Sequence, residues 1–494
     1  MSKTTLIPRP PEESGEHSID VEAVNSKAAR ALYQKREQIY PKLAHGFFRN
    51  LKWAAMIVLL AIYYITPWLR WDRGIGRPDQ AVLVDFEGRR FYFFFIELWP
   101  QEVYYITGLL ILAAFGIFLS SARFGRIWCG YACPQTVWTD LYIYVERLIE
   151  GDRAARMRLD KAPMSLGKAA KKLSKHAIWL LIAAATGGAW VFYFADAPTL
   201  ARDLFTGQAS APAYLFVGVL TFTTYMLAGT MREQVCTYMC PWPRIQAAMM
   251  DKDALSVTYR ADRGEPRGPH KKGESWEGRG DCIDCRQCVA VCPQGIDIRD
   301  GDQLECINCA LCIDACDEIM KKVDRPTGLI AYDSYANQSR RAAHEPARLR
   351  LVRPRTIMYG ALFALVGVLM LYGLSTRGVL DLNVIRDRSP PFVRLADGSI
   401  RNDYALKLIN KSDAARTLVI EVAGLEGAHL RGPDGSEGAV SVLAEPDSVT
   451  NVRMHIIAPA GISPGSHNLT FTIRDAESGD TATSASAFLA GAGP

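Results

Sequence analysis

Five apolar stretches punctuate the chain, at roughly Trp53–Leu69, Val103–Ser121, Ala177–Ala195, Ala213–Met231 and Thr356–Leu374. Each is nearly free of charge and close to the ~20 residues a helix needs to cross about 30 Å of hydrocarbon. One such run could be a soluble core helix; five in one chain predict membrane spans. After the fifth, continuous runs give way to short segments that alternate. Tyr404–Ile409, Thr417–Val422, Asn451–Ile457 and His467–Ile473 read as strands separated by Gly/Pro/Asp-rich turns. Over about 110 residues this spacing predicts an all-β, immunoglobulin-like sandwich. Residues 1–50 are polar, with little periodicity before Ala28–Tyr40, and read as a loose tail without a cleavable signal peptide.

Charge orients these elements. Residues 122–176, between the second and third runs, hold 11 Lys/Arg, whereas residues 196–212 hold only Arg202. The connection at 70–102 has five arginines offset by six acidic residues. Basic connections stay on the cytoplasmic side. The N-terminal tail and the insert at 232–355 are therefore expected inside, and the sandwich outside. The net charge of +5 is distributed by topology, and no repeated basic–aromatic surface motif argues for nucleic acid. The 49% apolar content and near-zero mean hydropathy exceed what a soluble multidomain chain would show.

The chemistry lies in residues 282–316, where two C-x-x-C-x-x-C-x-x-x-C runs follow one another. Eight thiolates at this spacing are the ligand set of a two-cluster bacterial ferredoxin, in which the fourth cysteine of each run crosses to the other cluster. One [4Fe–4S] cluster would take Cys282, Cys285, Cys288 and Cys316. The second would take Cys306, Cys309, Cys312 and Cys292. Zinc prefers pairs with a longer spacer, and disulfides do not suit a cytoplasmic segment. Pro293 follows the first run as the ferredoxin pattern asks, but Asp317 replaces it after the second.

The remaining four cysteines form two C-x-x-x-C-P motifs, Cys129/Cys133 after the second apolar run and Cys236/Cys240 after the fourth. An arginine precedes each motif (Arg126 and Arg232), so spans one–two and three–four look like copies of one helical hairpin. Proline after the second cysteine places it near a helix N-cap, where the dipole favours the thiolate. Four soft sulfurs suit copper(I), zinc or another iron centre; helix packing by small buried residues is the alternative. Haem lacks ligands, since of eight histidines only His176 lies beside a span, and His45, His270 and His344 read as solvated. No G-x-G-x-x-G follows a strand, so a Rossmann site is not supported.

The order of spans, FGRIWCGYACPQTVWTD, CTYMCPW, the double ferredoxin motif and the sandwich tail together resemble the cytochrome c oxidase accessory protein family, the CcoG/FixG/RdxA membrane polyferredoxins. The resemblance covers nearly the whole chain beyond the first ~30 residues. It implies a bacterial inner-membrane protein that reduces Cu(II) to Cu(I) during assembly of cbb-type cytochrome c oxidase. The expected partners are membrane lipid, copper ions, oxidase subunits or their assembly factors, and an electron donor the sequence does not identify. Carried over, Cys282 to Cys316 match the cluster ligands, and Cys129, Cys133, Cys236 and Cys240 match the family's membrane-edge cysteines, here a candidate copper site. The competing function is an electron-transfer subunit linking a quinol or cytosolic donor to a partner redox complex.

The expected architecture is thus a membrane α-helical protein with five transmembrane helices. A two-[4Fe–4S] ferredoxin-like domain is inserted in it, and an immunoglobulin-like sandwich ends it. The expected boundaries are a tail at 1–50, a four-helix membrane domain at 51–250 and a ferredoxin domain at 251–350. A fifth helix at 351–376 and the sandwich at 377–494 follow.

Overall fold

The computed structural model describes residues 37–491, except 75, 76, 272 and 434, together with Ala23 and Asn25. Most of the expected tail, including most of the Ala28–Tyr40 periodicity, lies outside the described residues. Two compact units divide the chain, residues 1–368 and 369–494.

The first unit opens with helix α1 (Phe47–Ile65), a three-stranded antiparallel sheet of β1 (Val82–Asp85), β2 (Arg90–Phe93) and β3 (Ile96–Leu98), and α2 (Tyr104–Phe124). There follow α3 (Pro134–Glu150), α4 (Arg153–Lys161), α5 (Leu166–Val191), α6 (Ala197–Thr206), α7 (Ala211–Thr224) and α8 (Trp242–Met249). A wide helical turn, Tyr225–Met231, extends α7. Among the described residues, four helical segments are long and apolar enough to cross a membrane: Phe47–Trp68, Pro100–Phe124, Ala211–Met231 and Pro354–Ser375. Their outer faces expose large apolar side chains such as Ile57, Leu110, Phe222 and Leu369, which lipid would cover.

The sequence predicts five spans, and the expected third is not among these four. It falls in α5, whose first turns carry Lys168, Lys171, Lys172 and Lys175, and the helix stops at Val191 rather than reaching Ala195. Its apolar part alone is short of the ~20 residues a span needs. The helix nevertheless runs from one end of the bundle to the other. Near its start, Lys172 pairs with Asp160 at 2.6 Å and Lys175 with Glu150 at 2.9 Å. Just past its end, Tyr193 accepts a hydrogen bond from Val84 N at 2.8 Å in the sheet between α1 and α2. Lysines can occupy one end because acidic residues of α3 and α4 meet them there.

Those acidic residues hold the bundle together. Glu146, 1% exposed, accepts from Arg156 of α4 at 3.0 Å, Lys175 of α5 at 3.2 Å and Arg232 after α7 at 3.0 Å. Nearly two turns earlier, buried Asp140 receives Arg49 Nη1 of α1 at 3.0 Å, with Lys52 at 3.6 Å. Desolvation opposes ionisation of Glu146, but Arg232, Lys175 and Arg156 outweigh it and hold its carboxyl down at about 2.

Between α8 and the last span lies the cysteine-rich part. It comprises β4 (Ser256–Tyr259), α9 (Ala261–Gly264), α10 (Gln287–Ala290), α11 (Leu311–Lys322), β5 (Ile330–Asp333) and α12 (Tyr335–Ala342), with β4 and β5 antiparallel. It seats on the helices through a shared cap. The Asp314 carboxylate of α11 accepts from the backbone N–H of Phe48 at 3.2 Å and of Arg49 at 2.7 Å, satisfying two free donors at the start of α1. Gly46 allows that approach, since a Cβ there would overlap the Asp314 side chain. Helix α13 (Pro354–Ser375) then leads to the second unit.

The second unit is the expected sandwich. One antiparallel sheet runs β10 (His429–Arg431), β12 (Ser448–Ala458), β8 (Ile400–Asn410) and β6 (Leu380–Arg386), with β7 (Val393–Arg394) also on β8. The other runs β11 (Val440–Ala444), β9 (Arg416–Ala423), β13 (Gly465–Asp475) and β14 (Thr481–Ala490). All four stretches picked from alternation are strands. Their inward residues, among them Leu406, Leu408, Leu418, Ile420, Met454, Ile456, Phe471 and Phe488, fill one core. Buried Tyr404 donates its hydroxyl across the sheets to Ala487 O at 2.9 Å.

Replacing Glu146 with Ala would remove the carboxylate that buried Arg156, Lys175 and Arg232 share, and breaking such a buried ion pair costs about 3–5 kcal/mol. The expected outcome is a marked fall in the detergent-solubilised protein's melting temperature. Because the folded-state pKa is depressed from 4.5 to about 2, the Glu146 contribution is present above pH 4.5 and is lost as pH falls toward 2. Melting curves should therefore separate wild type from Glu146→Ala at neutral pH and converge in strong acid.

Candidate iron–sulfur centres and the span-end cysteines

The two ligand loops repeat one backbone. In Cys282-Ile-Asp-Cys-Arg-Gln-Cys288, Asp284 and Arg286 are left-handed, with φ of 52° and 51°. In Cys306-Ile-Asn-Cys-Ala-Leu-Cys312, Asn308 and Ala310 occupy the same positions with φ of 53° and 60°. Asp and Asn tolerate this region; Arg and Ala are strained there, and such strain collects where a binding site dictates the backbone. Each pair of left-handed residues folds the loop tightly enough to turn three sulfurs inward, and α10 or α11 starts directly after it.

The sulfurs gather around two cavities. One is lined by Cys282, Cys285, Cys288 and Cys316, with Tyr259 and Arg299. The other is lined by Cys292, Cys306, Cys309 and Cys312, and Cys288 also reaches its wall. Each cavity is thus lined by three cysteines of one run and the fourth of the other. Among the described residues no three His, Cys, Asp or Glu side chains converge closely enough for a single ion. Four cysteines lining each cavity suit the ligand set of a four-iron cluster. Burial pushes the Cys288, Cys292 and Cys306 thiols up to about 12, and iron binding would displace their protons. When bound, such clusters supply one-electron redox chemistry.

Charge around the cavities is paired. Arg299 bridges Asp284 at 2.5 Å and Asp297 at 2.6 Å beside the first. Asp317, where the ferredoxin pattern has proline, accepts from Gly328 N at 2.7 Å and ties α11 to the approach to β5.

The two C-x-x-x-C-P motifs are also copies in backbone. Cys129 and Cys236 sit in single wide turns, Trp128–Ala132 and Val235–Met239. In each, the second cysteine's N–H reaches five residues back, Cys133 to Trp128 O and Cys240 to Val235 O, both at 2.8 Å. Cys133 and Cys240 then leave in extended conformation, with ψ of 127° and 121°. Cys133 is the N-cap of α3; Cys240 lies one residue before that of α8, which is Pro241. The preceding arginines are not equivalent. Arg232 stands four residues before its motif, where the first copy has Gly125, and both have positive φ, 44° and 60°. Hydrogen bonds from Arg232 to Gly229 O and Glu146 hold that strained backbone.

The structure brings both pairs to one place. Cys129 Sγ lies 3.0 Å from Gln246 Oε1 of α8 and packs with Trp242, just beyond Cys240. The helix-start position does not lower the Cys133 thiol as expected. Desolvation dominates, and it pushes Cys129 and Cys236 up to about 12 and raises Cys133 despite backbone N–H groups of Thr136 and Gln135. Met239 points to the exterior, and His270, expected solvated, stacks on Trp276 at 3.9 Å.

The first motif also forms the seat of the second cavity. Arg126 donates to the carbonyls of Leu304 and, at 3.1 Å, Cys306. Tyr131 donates to Cys309 O at 3.2 Å, and Tyr332 to Asn308 O at 2.6 Å. A Cβ on Gly130 would stand 2.7 Å from Ile307 O, so only glycine admits this contact without a shift. Spacing alone gave no sign of these residues, because they act through backbone carbonyls in a loop some 180 residues away.

Comparison with known proteins agrees with this layout. A 4Fe-4S dicluster domain matches residues 231–335, a 4Fe-4S binding domain matches 106–150, and the IG-like fold at the C-terminal of FixG matches 370–491. The nitrogen fixation protein FixG of Rhizobium meliloti is 51% identical, over 90% of this chain and 91% of its own. The chain belongs to the FixG family. Proteins RdxB and RdxA of Cereibacter sphaeroides are 53% and 50% identical, covering 87% and 89% of this chain and 91% and 93% of theirs. A crystal structure of a FixG-related protein from Vibrio parahaemolyticus is 25% identical over 23% of this chain and 97% of its own, with a TM-score of 0.20. Membership in the FixG family, the dicluster match and the two cavities together make the chain a membrane iron–sulfur electron-transfer protein.

Crossed ligation has a direct consequence. Cys292→Ser should damage the cluster otherwise held by Cys306, Cys309 and Cys312, and Cys316→Ser the one held by Cys282, Cys285 and Cys288. EPR of the reduced protein should lose a different component in each variant. Loss of the same component in both would refute the assignment.

Proposed function

We propose that this FixG-family protein is a cupric reductase of a bacterial inner membrane, supplying Cu(I) for assembly of a cbb-type oxidase. The observation that carries the reading is the direct seating of the second cavity on the Trp128–Cys133 turn. It puts a one-electron centre next to four soft sulfurs at the ends of two spans. Copper is written here as substrate: one electron converts Cu(II) to Cu(I), and thiolates favour the product. Cys129, Cys133, Cys236 and Cys240 are the groups proposed to meet it. The runner-up, an electron-transfer subunit passing electrons to a partner complex, uses the same cavities without copper.

The proposed orientation places the cysteine-rich part in the cytoplasm and the sandwich in the periplasm. Helix α13 is the apolar segment between them, and the Lys/Arg-rich residues 122–176 belong with the cysteine-rich side. The contact of Asp314 with the start of α1 supports a cytoplasmic start for that helix. Oxidase subunits or assembly factors are the proposed partners; the β-sandwich is proposed as their docking module.

Anaerobically reduced protein, freed of reductant and mixed with Cu(II), should yield Cu(I) detected by a Cu(I)-specific chelator. Cys292→Ser and the four span-end serine variants should lose this yield. Cluster reoxidation without Cu(I) would eliminate the copper reading in favour of the runner-up. A reporter fused after residue 300 should read cytoplasmic and one after residue 400 periplasmic; both on one side would remove α13 as a crossing helix.

A further inference from the structure

We propose that the start of α13 carries a binding site for the headgroup of an anionic phospholipid of the phosphatidylglycerol type. The inference rests on α13 being a membrane span, and on neither the clusters nor copper.

A surface cleft of about 520 Å³ opens where α13 begins. That volume is in the range of small-ligand sites. Asp251 and Asp253, between α8 and β4, form one wall, and Arg350, Arg353 and Arg355 form the other. The five charges are not equally committed. Asp251 is spent on Arg353, 2.5 Å away. Arg353 also donates to Ala122 O at the end of α2, and its buried Nε has no hydrogen-bond partner. Arg355 gives one nitrogen to Met250 O at 2.8 Å, which leaves the other end of its fork for an acceptor. Arg350 is exposed, and among the described residues it pairs with no acid; Arg348, two residues earlier, is the same. Three cations against two carboxylates, one of them already used, favour an anion. A phosphodiester bearing hydroxyl groups matches the set: Arg350 and Arg355 pair with its phosphate, and Asp253 accepts from a hydroxyl.

The surroundings select a lipid over a soluble phosphate. Leu349 and Val352, on either side of Arg350, are 64% and 72% exposed. Ile357 and Met358 continue an exposed apolar surface along α13, one of the segments long and apolar enough to cross a membrane. A small anion would leave all four side chains in water. A phospholipid would cover them with its acyl chains while its phosphate reaches the cleft. Arginines clustered beside a span attract anionic headgroups in this way.

The walls give the lipid a structural task. Leu255 N donates to Arg123 O at 3.0 Å, so the segment that forms the acidic wall also ties the end of α2 to the approach to β4. A headgroup in the cleft would fasten α13 to that same segment, where the chain enters the cysteine-rich part.

The test is native mass spectrometry of the full-length protein, incubated in detergent with equal amounts of phosphatidylglycerol and phosphatidylethanolamine of the same acyl chains. Wild type should retain phosphatidylglycerol in preference to phosphatidylethanolamine. Arg350→Gln should weaken that retention roughly fivefold, the contribution of one arginine at a membrane surface. Lys171→Gln, at an exposed cation near the start of α5, should leave it unchanged. Phosphatidylglycerol should also raise the melting temperature of wild type more than that of Arg350→Gln. Equal retention of phosphatidylglycerol by wild type and Arg350→Gln would overturn the proposal. So would an equal loss in Lys171→Gln, which would mean diffuse attraction to basic residues, or no preference between the two lipids. Inorganic phosphate raising the melting temperature as much as the lipid would overturn it in favour of a soluble anion. Arg350 has no partner to lose, so its variant should fold, and the wild-type comparison of the two lipids decides without any variant.

Discussion

The structure depends on a contact between backbones. Gly130, in the turn that ends the second span, lies against the carbonyls of Ile307 and Asn308, inside the loop that carries three cluster ligands. Arg126 and Tyr131 fasten the same loop from either side by donating to its carbonyls. Hydrogen bonds to carbonyls do not depend on which side chains the loop bears, so the ligand cysteines remain free to face their cavity. The second anchor, Asp314 on the start of α1, sits between Cys312 and Cys316 on α11. The cysteine-rich part is thereby fixed to the helices at ligand-bearing segments rather than by a flexible tether.

The helices in turn need their own charges neutralised. Lysines and arginines that would keep α1, α5 and the turn after α7 in water are drawn in by Asp140, Glu146 and Glu150 of α3. Helix α3 follows directly from Cys133, so the element that starts at a candidate ligand also carries the acids that assemble the bundle. Ligand placement and helix packing therefore cannot vary independently.

Much of this was legible in the sequence. Cysteine spacing marks out the residues that line the two cavities because each run is a tight loop turned by paired left-handed residues. The strands of the sandwich were legible because alternation directly reports a half-buried sheet. Three features were not. Helix α5 looked like an ordinary span because its lysines lie outside the apolar run, and only their partners on α3 and α4 explain how it traverses the bundle. Arg126 and Arg232 looked like one repeated residue, but a one-residue offset gives them different tasks, and the true counterpart of Arg232 is Gly125. The thiol of Cys133 was expected to be lowered by a helix start; burial, which only the tertiary fold sets, proved the larger effect.

The measurement that bears most directly on this account is a cryo-EM map of the full chain in lipid nanodiscs, purified without oxygen. The account predicts compact four-iron density enclosed by Cys292, Cys306, Cys309 and Cys312, pressed against the Trp128–Cys133 turn at Gly130. Density ligated in sequence by Cys282, Cys285, Cys288 and Cys292, or a 304–309 loop lifted away from that turn, would contradict it.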